Sequence, residues 1–186
     1  NDFSQTQIIG FDIRNGAPNL SLGYSPGNGS GIYIKGEISP IIKYCDINNN
    51  ESKDEGGGGI YIGQNYNNPL NCQPIFENIT IRNNQTSPYQ SYAGGGVYIR
   101  RGSVPVFNNV NFINNSSDYG GAIYITTTNT QNDYPITFNN CNIKQNTAYE
   151  DYAGAYVYST RPTIFNNCNF IENEVLSIYG YNSAMY

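Results

Sequence analysis

Two short phrases alternate along this chain, and repetition on a scale of a few tens of residues restricts a sequence to solenoids, propellers or arrays. The first phrase is a glycine turn running into a strand. It reads Gly58-Gly59-Ile60-Tyr61-Ile62, Gly95-Gly96-Val97-Tyr98-Ile99 and Gly121-Ala122-Ile123-Tyr124-Ile125, with looser copies at Gly31–Ile34 and Gly154–Val157. The second phrase is an asparagine-studded strand pair, as in Pro105-Val106-Phe107-Asn108-Asn109-Val110-Asn111-Phe112-Ile113-Asn114-Asn115. It recurs from Pro74, Phe138 and Phe165, and in degraded form from Ile42 and Ile8. The tyrosines of the first phrase stand 28, 37, 26 and 32 residues apart, so the strands are constant and the turns accept insertions. The long inserts follow the tyrosine strand, at 63–73 and 126–134.

Period-2 alternation assigns the faces. In the asparagine phrase Phe107, Val110 and Phe112 point inward, and Asn108 and Asn111 outward. Aligned, the inward positions form three apolar ladders: Ile8/Ile42/Phe76/Phe107/Phe138/Phe165, Phe11/Cys45/Ile79/Val110/Cys141/Cys168 and Ile13/Ile47/Ile81/Phe112/Ile143/Phe170. A sandwich does not keep three ladders in phase over so many repeats. No i, i+3, i+4 stripe supports a helix. The expected fold is all-β, a right-handed single-stranded parallel β-helix of about six coils, with residues 1–186 forming one segment of it.

Composition agrees. Only 12% of residues are charged and the net charge is −5. Low charge with many β-formers opposes disorder, and the lack of a basic patch opposes nucleic acid as a partner. No apolar run reaches the length that crosses a bilayer. No cofactor is implied.

Phe112-Ile113-Asn114-Asn115 and Phe170–Asn173, with Gly120-Gly121-Ala122-Ile123, resemble the FxxN and GGA[ILV] repeats of the polymorphic outer-membrane protein family. That resemblance implies an extracellular β-helix of the pectin-lyase-like superfamily, serving as a passenger-type adhesive or structural domain. Polysaccharide lyases and hydrolases also occur in that superfamily. A carbohydrate-active enzyme or carbohydrate-binding module is therefore the alternative.

Asn78/Asn109/Asn140/Asn167 share one slot and Asn50/Asn84/Asn115/Asn146/Asn173 another. Asparagine at such corners tolerates the left-handed conformation and can bond its equivalent one coil away. Glycosylation sequons begin at Asn19, Asn28, Asn50, Asn78, Asn84, Asn114 and Asn115; Asn19 and Asn28, in a Gly/Pro/Ser-rich insertion, are the better acceptors. Cys45, Cys141 and Cys168 read as small apolar core residues with free thiols; a disulfide between Cys141 and Cys168, on adjacent coils about 4.8 Å apart, is the alternative, and Cys72 lies in a loop. Catalytic and metal sites are expected to be absent. Glu55, Asp118 and Asp151, aligned before the glycine turn, are the weak candidates for a cation or an acid pair. Acids in an exposed turn are more often simply solvated.

Tyr33, Tyr61, Tyr98, Tyr124 and Tyr156 form an outward file of rings, and Tyr92/Tyr119/Tyr152 a shorter one. Stacking that stabilises the solenoid is the plainer role; a sugar-binding or lateral packing surface is the other. The functional expectation is an extracellular or cell-surface element with surface glycans as candidate partners. It would stack head to tail, because neither terminus resembles a polar cap. Joining residue 186 to residue 1 places Met185 nine residues before Ile8, the spacing of Tyr33 to Ile42, Tyr98 to Phe107 and Tyr156 to Phe165. The segment would then be one period of a filament.

Overall fold

The computed structural model describes residues 6–17, 31–36, 38–53, 56–63, 72–86, 93–127 and 134–176. All regular structure there is short parallel strands, stacked into four sheets. One coil shows the path: Val106–Asn108, Asn111–Ile113, Ser116–Tyr119 and Ile123–Thr127, one strand for each sheet in turn. The next coil repeats it with Ile136–Asn139, Asn142–Lys144, Thr147–Asp151 and Ala155–Ser159. Among the described residues the first and second sheets hold six strands each, the third and fourth five each.

The expectation of about six coils needs correction. Four turns, over 41–63, 75–100, 106–127 and 136–159, carry a strand in all four sheets. Among the described residues, 7–35 and 163–175 contribute strands to three sheets each. Counting one repeated slot counts the strands of one sheet, whereas a turn closes only when every sheet receives a strand.

The asparagine-phrase ladders lie in the expected register. Ile8, Ile42, Phe76, Phe107, Phe138 and Phe165 are successive partners in the first sheet. Ile13, Ile47, Ile81, Phe112, Ile143 and Phe170 are partners in the second. Phe107 and Phe112 are fully buried, while Asn108 and Asn111 remain partly exposed. Strand spacing brings stacked side chains to about 4.8 Å, which suits offset rings. Phe76, Phe107, Phe138 and Phe165 accordingly stack with centroids 4.6, 4.8 and 4.7 Å apart. Phe112 meets Phe107 edge-on at 5.7 Å. The middle ladder thins out at one end: Cys45 and Ile79 are buried, but Phe11 is 59% exposed in the first described coil.

The first two corners of the coil are each turned by one residue at positive φ. Between the first and second sheets it is Gly10, Tyr44, Asn78, Asn109, Asn140 and Asn167; between the second and third it is Asn15, Asn49, Asn83, Asn114, Gln145 and Glu172. The ladder Asn50/Asn84/Asn115/Asn146/Asn173, buried except for half-buried Asn173, is the residue after this second corner and is not left-handed. At the second corner backbone geometry and amide stacking, expected together, are thus divided between neighbouring residues, whereas at the first corner left-handed Asn109 and Asn140 combine both, donating to Asn78 and Asn109. Before the fourth sheet the left-handed position is Gly57, Gly94 or Gly120, and Tyr152 in the last complete coil. The residue that follows must also be small, since a Cβ on Gly95 would lie 2.3 Å from the Ser116 carbonyl oxygen of the next coil.

Candidate functional site

The surface expected to carry chemistry lies on the third and fourth sheets. The third sheet is itself a departure: its strands Glu51–Ser52, Gln85–Thr86 and Ser116–Tyr119 replace the expected exposed turn. Glu55 lies outside the described residues. Asp118 is not solvated but buried, at 1% exposure. Asp118 and Asp151 also miss each other, because Asp151 pairs with Tyr119 across a β-bulge. The sequence carried that signal. Asn115 to Asn146 is 31 residues and Tyr124 to Tyr156 is 32, so one extra residue must be absorbed between them.

Instead of an acid pair, the bulge gives a phenol–carboxylate contact in which the Tyr119 hydroxyl donates to Glu150 Oε2. That bond, then burial, and then the negative charges of Glu150, Asp151 and Asp118 push the Tyr119 hydroxyl well above its ordinary range. The shorter ring file is displaced by the same bulge. Tyr152 aligns with Gly120 rather than Tyr119, and Tyr92 lies outside the described residues. Among the described residues no three His, Cys, Asp or Glu side chains group as metal ligands.

The long tyrosine file is in register throughout, Tyr33 to Tyr61 to Tyr98 to Tyr124 to Tyr156. Ring centroids are 5.0, 5.5, 5.2 and 4.7 Å apart, stacked at both ends of the file and edge-on in the middle. Its exposure differs from expectation. Tyr33 is 44% exposed, but Tyr61 and Tyr98 are only 5% and 8% exposed. These rings lie down along the flank on glycine. A Cβ on Gly63 would sit 2.6 Å from the Tyr61 ring, and one on Gly56 would sit 2.9 Å from Tyr98 Cδ1. Arg100 hydrogen-bonds Tyr61 and stands 6.0 Å from the Tyr98 ring centroid, and the Thr126 hydroxyl donates to the Tyr98 oxygen at 3.1 Å. Burial pushes the Tyr61 hydroxyl up, and that of Tyr124 to about 12. The middle of the file is therefore wall, and its open ring is Tyr33.

Asn19 and Asn28 fall outside the described residues. Asn50, Asn84 and Asn115 are buried and closed to glycan attachment in the folded chain, whereas Asn78 and Asn114 are exposed at left-handed corners. The four thiols are free. Cys72, expected in a loop, is fully buried and donates to the Ile38 carbonyl at 2.8 Å; burial raises it to about 12. Burial raises Cys141 to about 12 as well.

Two polar features escaped the sequence reading. A cleft of about 370 Å³ lies at the corner of the second and third sheets, among Asn15, Gly16, Asn49, Glu51, Asn83 and Gln85. Outward asparagines also form amide rows. Asn139 Nδ2 donates to Asn108 Oδ1 at 2.8 Å, and Asn166 Nδ2 to Asn139 Oδ1 at 2.8 Å. The row Asn111, Asn142, Asn169 does the same at 2.9 and 3.0 Å.

A family model described as "right handed beta helix region" matches residues 1–134. Comparison with curated proteins finds no match, and neither does comparison with solved structures. The ladder registers run past the matched span without a break, through Phe165 and Phe170. With parallel strands throughout the described residues and a family model covering residues 1–134, the chain belongs to the right-handed β-helix region family.

Proposed function

We propose that this β-helix is an extracellular structural and adhesive element, of the polymorphic outer-membrane repeat type, that assembles head to tail. The observation carrying this reading is that the polar side chains of successive coils repeat along the axis. Asn50, Asn84, Asn115, Asn146 and Asn173 pass amide hydrogen bonds from coil to coil at 2.9, 3.0, 3.0 and 2.9 Å. An enzyme site needs unlike groups converging on one point; here like groups recur at every coil. Ile8 and Phe165, the outermost described rungs of the first-sheet ladder, are partly buried and lie in the same register as the rungs between them, so a further coil can stack on this ladder in phase. A head-to-tail contact propagates without closing.

Electron microscopy of concentrated protein tests this reading. Filaments with an axial period of roughly 29 Å, six strand spacings, are expected. A stable monomer without such a period refutes it.

Carbohydrate processing is the second reading, and the cluster of Tyr119, Glu150 and Asp118 supports it. Its test is the double substitution Asp118→Asn/Asp151→Asn. Polysaccharide cleavage by the native chain that this variant loses would make the protein an enzyme. The structural reading expects fold and assembly to survive the change.

A further inference from the structure

The corner between the first and second sheets carries a face of carboxamides that the axial assembly proposed above does not use. In three successive coils the outward positions are asparagine. One row is Asn108, Asn139 and Asn166; beside it, at the left-handed turn, stand Asn109, Asn140 and Asn167. Beyond the turn is the row Asn111, Asn142 and Asn169. All nine are at least partly exposed. The rows are internally ordered, since Asn109 and Asn140 also donate along their row, to Asn78 and Asn109, at 3.1 and 3.3 Å.

A carboxamide has two N–H donors and an oxygen with two lone pairs. A mid-row residue such as Asn139 or Asn142 spends one donor and one lone pair along its row. Each keeps one donor and one lone pair for whatever meets the face. The rows contain no ionised group, although the chain carries a net charge of −5. In earlier coils the same columns become charged: Asn108 stacks on Glu77, which is paired at 2.7 Å with Lys43 one coil further, and the Asn111 column reaches Asp46 two coils away. The neutral rows are therefore bounded, and partly exposed Lys144, aligned with Ile113 and Ile171, stands beside their middle rung. Exposed Ile164 and Ile171 flank their last rung.

We infer that this face is a lateral self-association surface, and that its partner is the same face of a second copy of this chain. Two features select that occupant. Strand spacing is about 4.8 Å in any such stack, so aligning one pair of amides between two copies aligns every other pair. A ligand with a different repeat drifts out of phase within a few rungs. The unspent groups are also self-complementary, because each amide offers one donor and one acceptor. Stacked strands also meet through dry interfaces of identical, interdigitated side chains, and an isologous two-fold contact sets the same rows against each other.

The patch is three rungs deep, about 10–15 Å along the axis. It is much smaller than the roughly 800 Å² per partner of a stable complex. A single pair of copies therefore binds weakly, and axial stacking multiplies the contact. In this respect the inference rests on the filament reading.

The experiment compares the intact chain with Asn139→Arg/Asn142→Arg and with the near-isosteric Asn139→Asp/Asn142→Asp, each confirmed folded by circular dichroism. Sedimentation velocity up to millimolar concentration is combined with electron microscopy of filament width and length. Tyr158→Ser, an exposed change on the fourth sheet, is the control. The wild type and the control should give filaments joined side by side. Both asparagine variants should give single-width filaments of unchanged length, with lateral association weakened roughly tenfold or more by the facing like charges. Single-width wild-type filaments would overturn this inference and leave the axial reading standing. Side-by-side association that persists in both variants would also overturn it. A wild type that stays monomeric at millimolar concentration would overturn both.

Discussion

Replacing Asn115 by alanine isolates the amide ladder from the rest of the fold. Asn115 is fully buried. Its Oδ1 accepts from the Asn84 backbone N–H at 3.1 Å and from Asn84 Nδ2 at 3.0 Å. Its Nδ2 donates to the Ile81 carbonyl at 2.9 Å and to Asn146 Oδ1 at 3.0 Å. Alanine removes all four bonds. Asn146 Oδ1 keeps the Asn115 backbone N–H, and Asn84 Nδ2 keeps the Ile47 carbonyl. The Asn84 backbone N–H and one of its amide hydrogens are left buried and unpaired. At about 1–3 kcal/mol for each orphaned buried donor, the loss is about 2–6 kcal/mol. Asn108→Ala removes one bond at a partly exposed position, so it should stay within about 0.5 kcal/mol of wild type. Urea unfolding followed by circular dichroism reads both. An Asn115→Ala midpoint matching that of Asn108→Ala would refute the ladder as a source of stability. Asn115→Asp adds a sign test. It keeps the acceptor for Asn84 but turns an oxygen toward Asn146 Oδ1, so it should be weaker than wild type at neutral pH and recover on acidification, when the protonated acid can donate.

Phe107→Ala should cost about 3–5 kcal/mol in the same assay, because it empties the middle of the stack formed with Phe76 and Phe138. Gln145 holds a left-handed corner at φ 55° where four other coils place asparagine, so Gln145→Asn should raise stability by about 0.5–1 kcal/mol, seen as a higher thermal midpoint. Alkali should unfold the chain in a defined window. Cys72 and Cys141 are raised from 9.0 to about 12 and Tyr124 from 10.0 to about 12, so over that range the folded chain retains protons that the unfolded chain has lost. The unfolded state then binds fewer protons and stability falls as pH rises, from about pH 9 with the thiols and more steeply from about pH 10. A denaturant midpoint constant between pH 8 and pH 11.5 would contradict those burials.

What could be read from residues alone follows from parallel stacking itself. Residues at equal phase become neighbours about 4.8 Å apart, so like must pack on like, and a slot such as Phe76/Phe107/Phe138/Phe165 is visible as a recurring letter. The third sheet has no such letter. Strands of two residues, Glu51–Ser52 and Gln85–Thr86, are too short for alternation to show, and they read as turn. The pairing of Asp118 with Asp151 failed for a related reason. Alignment by nearest motif hides a single inserted residue, and a bulge moves every side chain beyond it to a new partner.

Exposure of the tyrosine file was illegible for a different reason, and it bears on function. Period-2 alternation says which side of a strand a side chain leaves from, not whether its ring then stands up or lies down. Tyr61 and Tyr98 lie down because Gly63 and Gly56 leave them beds, and Arg100 reaches over the flank to both rings. The flank expected to offer an aromatic platform is therefore spent on holding coils together in its middle. The short, ordered amides of the first corner keep half their hydrogen-bonding capacity outward. On a solenoid every outward slot is repeated, so a slot can serve cohesion between coils or contact with a partner according to what its side chains leave unspent. By that measure the tyrosines serve the coil stack, and the asparagine rows are where a second molecule has something to bind.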